Sequence, residues 1–178
     1  MSLCTDLTDG YTLNCRRIGG VQYVIAFQKE HIESITVVDG EVTGITVASG
    51  QRGWKIELEE EVSMFNFNPI GNRENGTYRV EEELSLVLND SKRETRNLVN
   101  VLAQHRLIFI VVENDEKASI GGLERGLMLG DGTGGTGTAK EDRNGFETLP
   151  FTGTERALPP ILDATLYENI DDLLVPVS

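Results

Sequence analysis

The 178-residue sequence has few cysteines and histidines, and this shortage narrows the range of functions. The two cysteines, Cys4 and Cys15, form no CxxC pair, and the two histidines, His31 and His105, lie far apart in the chain. Neither set has the spacing of a metal site, so we expect no metal and no cofactor. The sequence also lacks a nucleophile-elbow serine and a Gly-Lys-Ser or Gly-Lys-Thr loop. We therefore expect a protein that is not an enzyme.

Positive charge is scarce relative to negative charge. The chain has 16 Lys and Arg against 29 Asp and Glu, which gives a net charge of −13. Such a surface repels phosphate groups, so it is not typical of a protein that grips nucleic acid or an anionic membrane. No apolar stretch approaches the length of a membrane span, and no secretory signal is evident. We expect a protein that is made in a cytoplasm and has no membrane partner.

The length and the 39% hydrophobic content fit a single domain over residues 1–178. Residues 1–20 are polar and are expected to form an N-terminal arm. Residues 21–153 contain the regular apolar patterns and should form a β core with one helix. Residues 154–178 begin near a Pro-Pro pair and become acidic, so we expect a C-terminal arm whose apolar residues can pack on a neighbour.

Two stretches of alternating apolar and polar residues dominate the middle of the chain, at 54–64 and 77–88. A period of two places the alternating sets on opposite faces of a strand, so we expect two long strands joined as a hairpin. One acid on each strand, Glu60 and Glu82, interrupts the apolar set. The acidic face is predicted to carry Glu57, Glu59, Glu61, Glu81 and Glu83. It is either an ordinary solvated surface or the lining of a space that must not bind acids.

The segment between these strands is dense in turn-forming residues over 66–76, which predicts a loop. It also contains two apolar residues that a solvated loop does not need, Phe67 and Ile70. We therefore expect the loop to contact another surface. The residues predicted to make this contact are Phe67, Asn68, Pro69, Ile70 and Gly71.

One helix is predicted over about 92–105. Ser91 and Glu94 have the spacing of a capping box. Leu98, Val101 and Leu102 follow at spacings of three and four and should pack on a sheet.

Short apolar runs predict further strands at 21–27, 35–39, 42–48, 107–112, 118–123 and 146–152. The glycine-rich segment 130–137 formally matches GxGxxG, but no amphipathic helix follows it. A dinucleotide site needs the amides of a helix N-terminus, so we expect a mobile loop there instead. These patterns together predict a mainly β fold with one helix.

Several short motifs resemble those of one group of proteins. They are Gly19-Gly20, Gly53-Trp54, Leu102-Ala103-Gln104-His105-Arg106, Gly121-Gly122-Leu123-Glu124-Arg125-Gly126-Leu127, Asp142-Arg143-Asn144-Gly145-Phe146 and Phe151-Thr152-Gly153. Over residues 18–153 the chain thereby resembles the tail tube proteins, or major tail proteins, of phages and prophages of the Bacteroidota type. Residues 1–17 and 161–178 match nothing in that group.

The resemblance implies a β-sandwich or barrel-like sheet with one flanking helix and extended terminal arms. It also implies a structural protein of the virion tail, in which homohexameric rings stack into a tube for DNA ejection. The implied partners are other copies of the chain, a tape measure protein, a tail terminator or connector, and DNA that passes through the lumen without specific binding. The five glutamates would then line the lumen and repel phosphates. The loop 67–71 would contact the next ring.

Other interpretations remain open at this point. Because residues 1–17 and 161–178 match nothing in the tube group, the chain can instead be a specialised ring of the head-tail connector or tail end. The resemblance also leaves open the inner tube of a contractile injection system, which relatives of this fold form. A monomeric β-sandwich that binds carbohydrate or protein belongs to a different class.

Overall fold

Strands are the predominant regular element of the structure, a computed structural model that describes residues 10–11 and 18–174. The strands within that part are β1 (Val21–Gln28), β2 (Ile32–Val38), β3 (Glu41–Val47), β4 (Trp54–Glu57), β5 (Met64–Asn72), β6 (Thr77–Leu88), β7 (Leu107–Glu113), β8 (Ala118–Gly121), β9 (Met128–Leu129), β10 (Thr133–Gly135), β11 (Gly145–Glu155) and β12 (Ile161–Leu162). The helices are α1 (Arg93–Leu102) and α2 (Ala164–Glu168), with 3-10 turns at Lys29–His31 and Ile170–Leu173.

The strands form two sheets that pack face to face. The larger sheet has the order β2-β3-β12-β8-β7-β1-β4, and the smaller has the order β10-β11-β6-β5, with β9 paired to β11. Phe109 on β7 and Phe151 on β11 meet between the sheets, with ring centroids 5.0 Å apart. The prediction of a mainly β, sandwich-like fold with one main helix is therefore confirmed.

Two apolar cores lie on opposite faces of the larger sheet. The core between the sheets contains buried residues of β1, β6, β7 and β11, among them Val24, Leu84, Phe109 and Phe151. The second core contains the alternate residues of β1 and β7, namely Ile25, Phe27, Ile108, Ile110 and Val112. Because both faces of these two strands are buried, their sequences are continuous apolar runs and do not alternate.

The C-terminal segment belongs to the domain. Strand β12 inserts between β3 and β8 in the larger sheet, and Leu162 and Ile170 are buried in the second core. The prediction that 154–178 forms an arm is therefore wrong for residues 154–174, because their apolar side chains find an intramolecular surface. Most of the predicted N-terminal arm, and residues 175–178, lie outside the described residues.

Helix α1 is shorter than the predicted 92–105, and its buried stripe differs by one residue. Leu102 is buried, and Leu98 and Val99 pack partly against the core between the sheets. Val101 is 47% exposed, so its assignment to the core face is wrong. At 3.6 residues per turn, Val101 lies roughly 100° from the middle of the stripe that the other three define. The predicted capping box is also wrong, since the residue that precedes the helix is Lys92 and makes no side-chain cap.

The predicted hairpin of 54–64 with 77–88 is wrong in its first strand. Strand β4 ends at Glu57 and pairs with β1 in the larger sheet. The chain then turns, with Glu61 at a φ of 62°. Strand β5 takes the place beside β6.

The segment 67–71, predicted to be a loop, is therefore part of an edge strand. Pro69 is tolerated there because the outer side of an edge strand needs no donor. The turn of the hairpin is shorter than predicted and lies between Asn72 and Thr77. The glycine-rich segment 130–137, predicted as a mobile loop, also contains a strand, since β10 pairs with β11.

Candidate functional site

The outer face of the smaller sheet is polar and acidic. Residues directly opposite on paired strands share a face, and two cross-strand rows point outward. One row consists of Asn66, Glu83 and Thr152, and the other consists of Asn68, Glu81 and Thr154. All six side chains are exposed. We call this surface the outer face.

The positive charge nearest to these rows is already paired. The guanidinium of Arg79 lies 3.1 Å from the Glu81 carboxylate. Glu83 has no ion pair among the residues that the structure describes. This ion pair also offsets the charge of Glu81, so the net negative charge of the two rows comes mainly from Glu83.

Three of the five glutamates predicted to share this surface lie elsewhere. Glu57 ends β4 in the larger sheet, where the Lys55 ammonium is 3.4 Å from its carboxylate. Glu59 and Glu61 lie in the connection between β4 and β5 and are exposed. The sequence alternation placed them on one face, but the chain leaves the larger sheet after Glu57. The structure therefore brings together only Glu81 and Glu83 of the predicted set.

The hairpin of β5 and β6 extends beyond the rest of the smaller sheet. The last register pair of β11 with β6 is Glu155 with Val80, so residues 69–79 continue as a ribbon without a third strand. Most of its side chains are exposed, and Tyr78 is 47% exposed. The predicted contact residues lie along this edge, where Phe67 is 45% exposed and its ring centroid is 5.9 Å from that of Phe65. We call residues 69–79 the projecting hairpin.

Two carboxylates are buried on the inner side of the same sheet. Glu82 is 2% exposed and Glu155 is 4% exposed. Glu82 Oε2 accepts a hydrogen bond from the N–H of Gly122 at 2.7 Å. Glu155 accepts two, from the N–H of Glu124 at 3.0 Å and the N–H of Arg125 at 3.1 Å. We call residues 122–126, which donate these hydrogen bonds to the two carboxylates, the anchored turn.

Burial perturbs both acids. It raises the pKa of Glu82 to about 7; the hydrogen bond from Gly122 opposes this rise, and the charge of Glu155 adds to it. Burial likewise raises the pKa of Glu155 against the lowering effect of its hydrogen bonds from Arg125 and Glu124. Near neutral pH Glu82 therefore exchanges between its acid and carboxylate forms.

A cavity of about 260 Å³ adjoins the two carboxylates. Its apolar lining consists of Val37, Leu123, Ala157, Leu158, Pro159 and Pro160. Its charged lining consists of Glu82, Glu124, Glu155 and Arg156. The Arg156 guanidinium lies 3.6 Å from the Glu124 carboxylate, so these two largely neutralise each other. We call this space the carboxylate cavity.

The sequence did not predict this cluster. Glu82 was noticeable because it interrupts an apolar set of alternating residues. Glu155 had no such signal, since the strand was predicted to end at residue 152, before Glu155 continues the inner face of β11.

The structure and its comparisons add three negative findings. In residues 10–11 and 18–174, no three His, Cys, Asp or Glu side chains are grouped so that they can hold a metal ion. In the same part of the chain, no helix is long and apolar enough to cross a membrane. No protein-family model, curated protein or solved structure matches the chain.

Proposed function

We propose that the chain is a structural virion protein whose homohexameric rings stack into a phage tail tube. The observation that carries this proposal is the outer face, where Glu81 and Glu83 stand in polar rows with no free cation. The motif resemblance over residues 18–153 supports the same conclusion. In the assembled ring, the outer face lines the lumen.

The outer face suits a surface along which DNA slides. Phosphates that come within roughly 10 Å of the glutamates are repelled at 0.1 M salt, because that distance is the Debye length. The Asn and Thr side chains of the two rows keep the surface hydrated without adding positive charge. DNA therefore passes without the salt-dependent binding that contacts of lysine and arginine with phosphates provide.

The projecting hairpin supports the assembly part of the proposal. A two-stranded ribbon is marginally stable by itself in water, so an exposed one gains from a partner surface. Phe67 and Tyr78 supply apolar area at its base and along its side. In this proposal the hairpin contacts the next ring, and the tape measure and terminator proteins contact the ends of the stack.

The oligomeric state tests the assembly. Purified protein is examined by light scattering across a concentration series and by negative-stain microscopy. We expect rings, and tubes at high concentration. A monomer that persists at every concentration would reject the tube proposal and favour a monomeric binding module.

Charge reversal tests the lumen assignment separately. The variant Glu81→Lys with Glu83→Lys adds positive charge to the outer face. The matched control Glu59→Lys with Glu61→Lys makes the same charge change in the connection between β4 and β5. We expect tubes of the first variant to retain DNA in a salt-sensitive way and those of the control to release it. Equal DNA retention by both would show that the outer face does not line the channel.

A further inference from the structure

The carboxylate cavity has apolar walls and one acid, Glu82, with a carboxylate oxygen that accepts no hydrogen bond within the described residues. Glu155 uses both carboxylate oxygens, each on an amide of the anchored turn. Glu82 uses only Oε2, and its Oε1 forms no hydrogen bond in the part of the chain that the structure describes. Glu82 lines the cavity, and its Oε1 is not a fully enclosed atom, so this oxygen remains open to a hydrogen bond from a ligand.

We propose that the carboxylate cavity binds an organic cation, an ammonium or guanidinium group on a short apolar stem, through Glu82. The charged head donates to Oε1, the oxygen that lacks a partner. The stem packs against the aliphatic and proline side chains of the wall, such as Leu123 and Pro160. This inference needs only the folded subunit, so it holds or fails independently of the tail tube proposal.

The charges around the cavity favour a cation over an anion. The groups that face Glu82 or its neighbour Glu155 are Glu124 of the anchored turn, Arg156 after β11, and Lys29, which acts on Glu155 from a distance. Arg156 is committed to Glu124, which leaves the two buried acids as the dominant charge. Mostly apolar pockets with a few convergent polar groups are the usual form of a small-molecule site.

Protonation of Glu82 competes with binding of the cation. Glu82 must be ionised to pair with a cation, so binding releases a proton wherever the acid form is populated. Since the pKa of Glu82 is about 7, we expect binding at pH 6 to be about tenfold weaker than at pH 8. A neutral ligand of the same shape would show no such dependence.

The first experiment uses n-butylammonium and n-butylguanidinium as probes. Binding is followed by NMR at the amide of Gly122, whose N–H donates to Glu82, and by calorimetry. We expect saturable binding to the wild-type protein and at least a tenfold loss in Glu82→Gln. The glutamine keeps an acceptor for Gly122 and removes the charge, so the variant should stay folded.

Two controls make the result specific. Glu147→Gln removes an exposed acid from β11, outside the cavity lining, and should bind the probes as the wild type does. Butan-1-ol has the stem without the charge and should bind far more weakly than n-butylammonium. Equal binding of butanol and butylammonium, or equal binding by Glu82→Gln and the wild type, would overturn the proposal.

A last experiment distinguishes a free amine from a lysine or arginine of another copy of the chain as the source of the cation. A free amine leaves the oligomeric state unchanged when it binds. A lysine or arginine of another copy would be displaced by it, so butylammonium and Glu82→Gln would both shift the sedimentation profile towards smaller species. Either pattern supports a cation site, whereas the absence of both binding and displacement rejects it.

Discussion

Glu82 on β6 and Glu155 on the neighbouring strand β11 both accept hydrogen bonds from the anchored turn. Glu82 accepts from the N–H of Gly122, and Glu155 accepts from the N–H groups of Glu124 and Arg125. The turn has no strand partner for these amides, so the carboxylates act where backbone carbonyls would in a sheet. Both carboxylate oxygens of Glu155 accept a hydrogen bond, whereas only Oε2 of Glu82 does.

Stability should fall as pH rises from about 4.5 to about 7. The pKa of Glu82 is raised from 4.5 to about 7 in the folded chain, so between these values the folded state binds more protons than the unfolded state. The free energy of unfolding then decreases with pH, by roughly 3 kcal/mol in total for this residue. Glu155, whose pKa is also raised, acts in the same direction. Urea unfolding at a series of pH values measures the effect.

The variant Glu82→Gln isolates the contribution of Glu82 to this slope. Glutamine does not titrate, so most of the loss between pH 4.5 and 7 should disappear. Above pH 7 the variant should be at least as stable as the wild type, because it avoids a buried charge. An unchanged slope in the variant would assign the pH dependence to other groups.

Loss of Glu155 should cost more stability than loss of Glu82 at pH 5. Glu155→Ala removes two hydrogen bonds, from the part-buried N–H groups of Glu124 and Arg125, and Glu82→Ala removes one, from the buried N–H of Gly122. Each hydrogen bond contributes about 0.5–1.5 kcal/mol, so we expect roughly 1–3 kcal/mol for Glu155→Ala and half of that for Glu82→Ala. Urea unfolding at the same pH gives the ranking, and the reverse order would contradict the hydrogen-bond pattern.

A methyl group at Gly122 should destabilise the chain more than one at Gly76. Both glycines have positive φ, +76° and +61°, which costs an L-residue about 1–2 kcal/mol. A Cβ at Gly122 would also lie 2.9 Å from the Leu107 carbonyl oxygen, whereas nothing lies within 4 Å at Gly76. Overpacking of this kind adds about 1–3 kcal/mol. Thermal unfolding of Gly122→Ala and Gly76→Ala tests the difference, and equal shifts would contradict the close approach at Gly122.

The orientation of β6 could be predicted because its two faces differ in polarity. Val80 and Leu84 point inward while Glu81 and Glu83 point outward, as the alternation indicates. Strand partners could not be predicted the same way, since a period of two identifies a strand without identifying its neighbour.

Two predictions were wrong because the pairing of strands that are distant in the sequence is not apparent from local residues. Strand β4 has the alternation of a hairpin strand, yet it pairs with β1. Strand β5 contains Asn68, Pro69 and Gly71, which favour turns, but its pairing with β6 outweighs that preference. The buried acid pair was missed for a similar reason, because Glu82 and Glu155 become neighbours only when β6 and β11 pair.

Shortening the projecting hairpin should separate folding from assembly. Replacing residues 71–78 by Asn-Gly joins Ile70 to Arg79, which lie opposite each other, through a two-residue turn. The removed residues have no third strand beside them, so the free energy of unfolding should change by less than about 1 kcal/mol. Ring stacking should be lost, as seen by negative-stain microscopy and sedimentation. The tip variant Arg73→Ala keeps the hairpin length and should still stack. Tubes of normal length from the shortened chain would show that the hairpin does not join the rings.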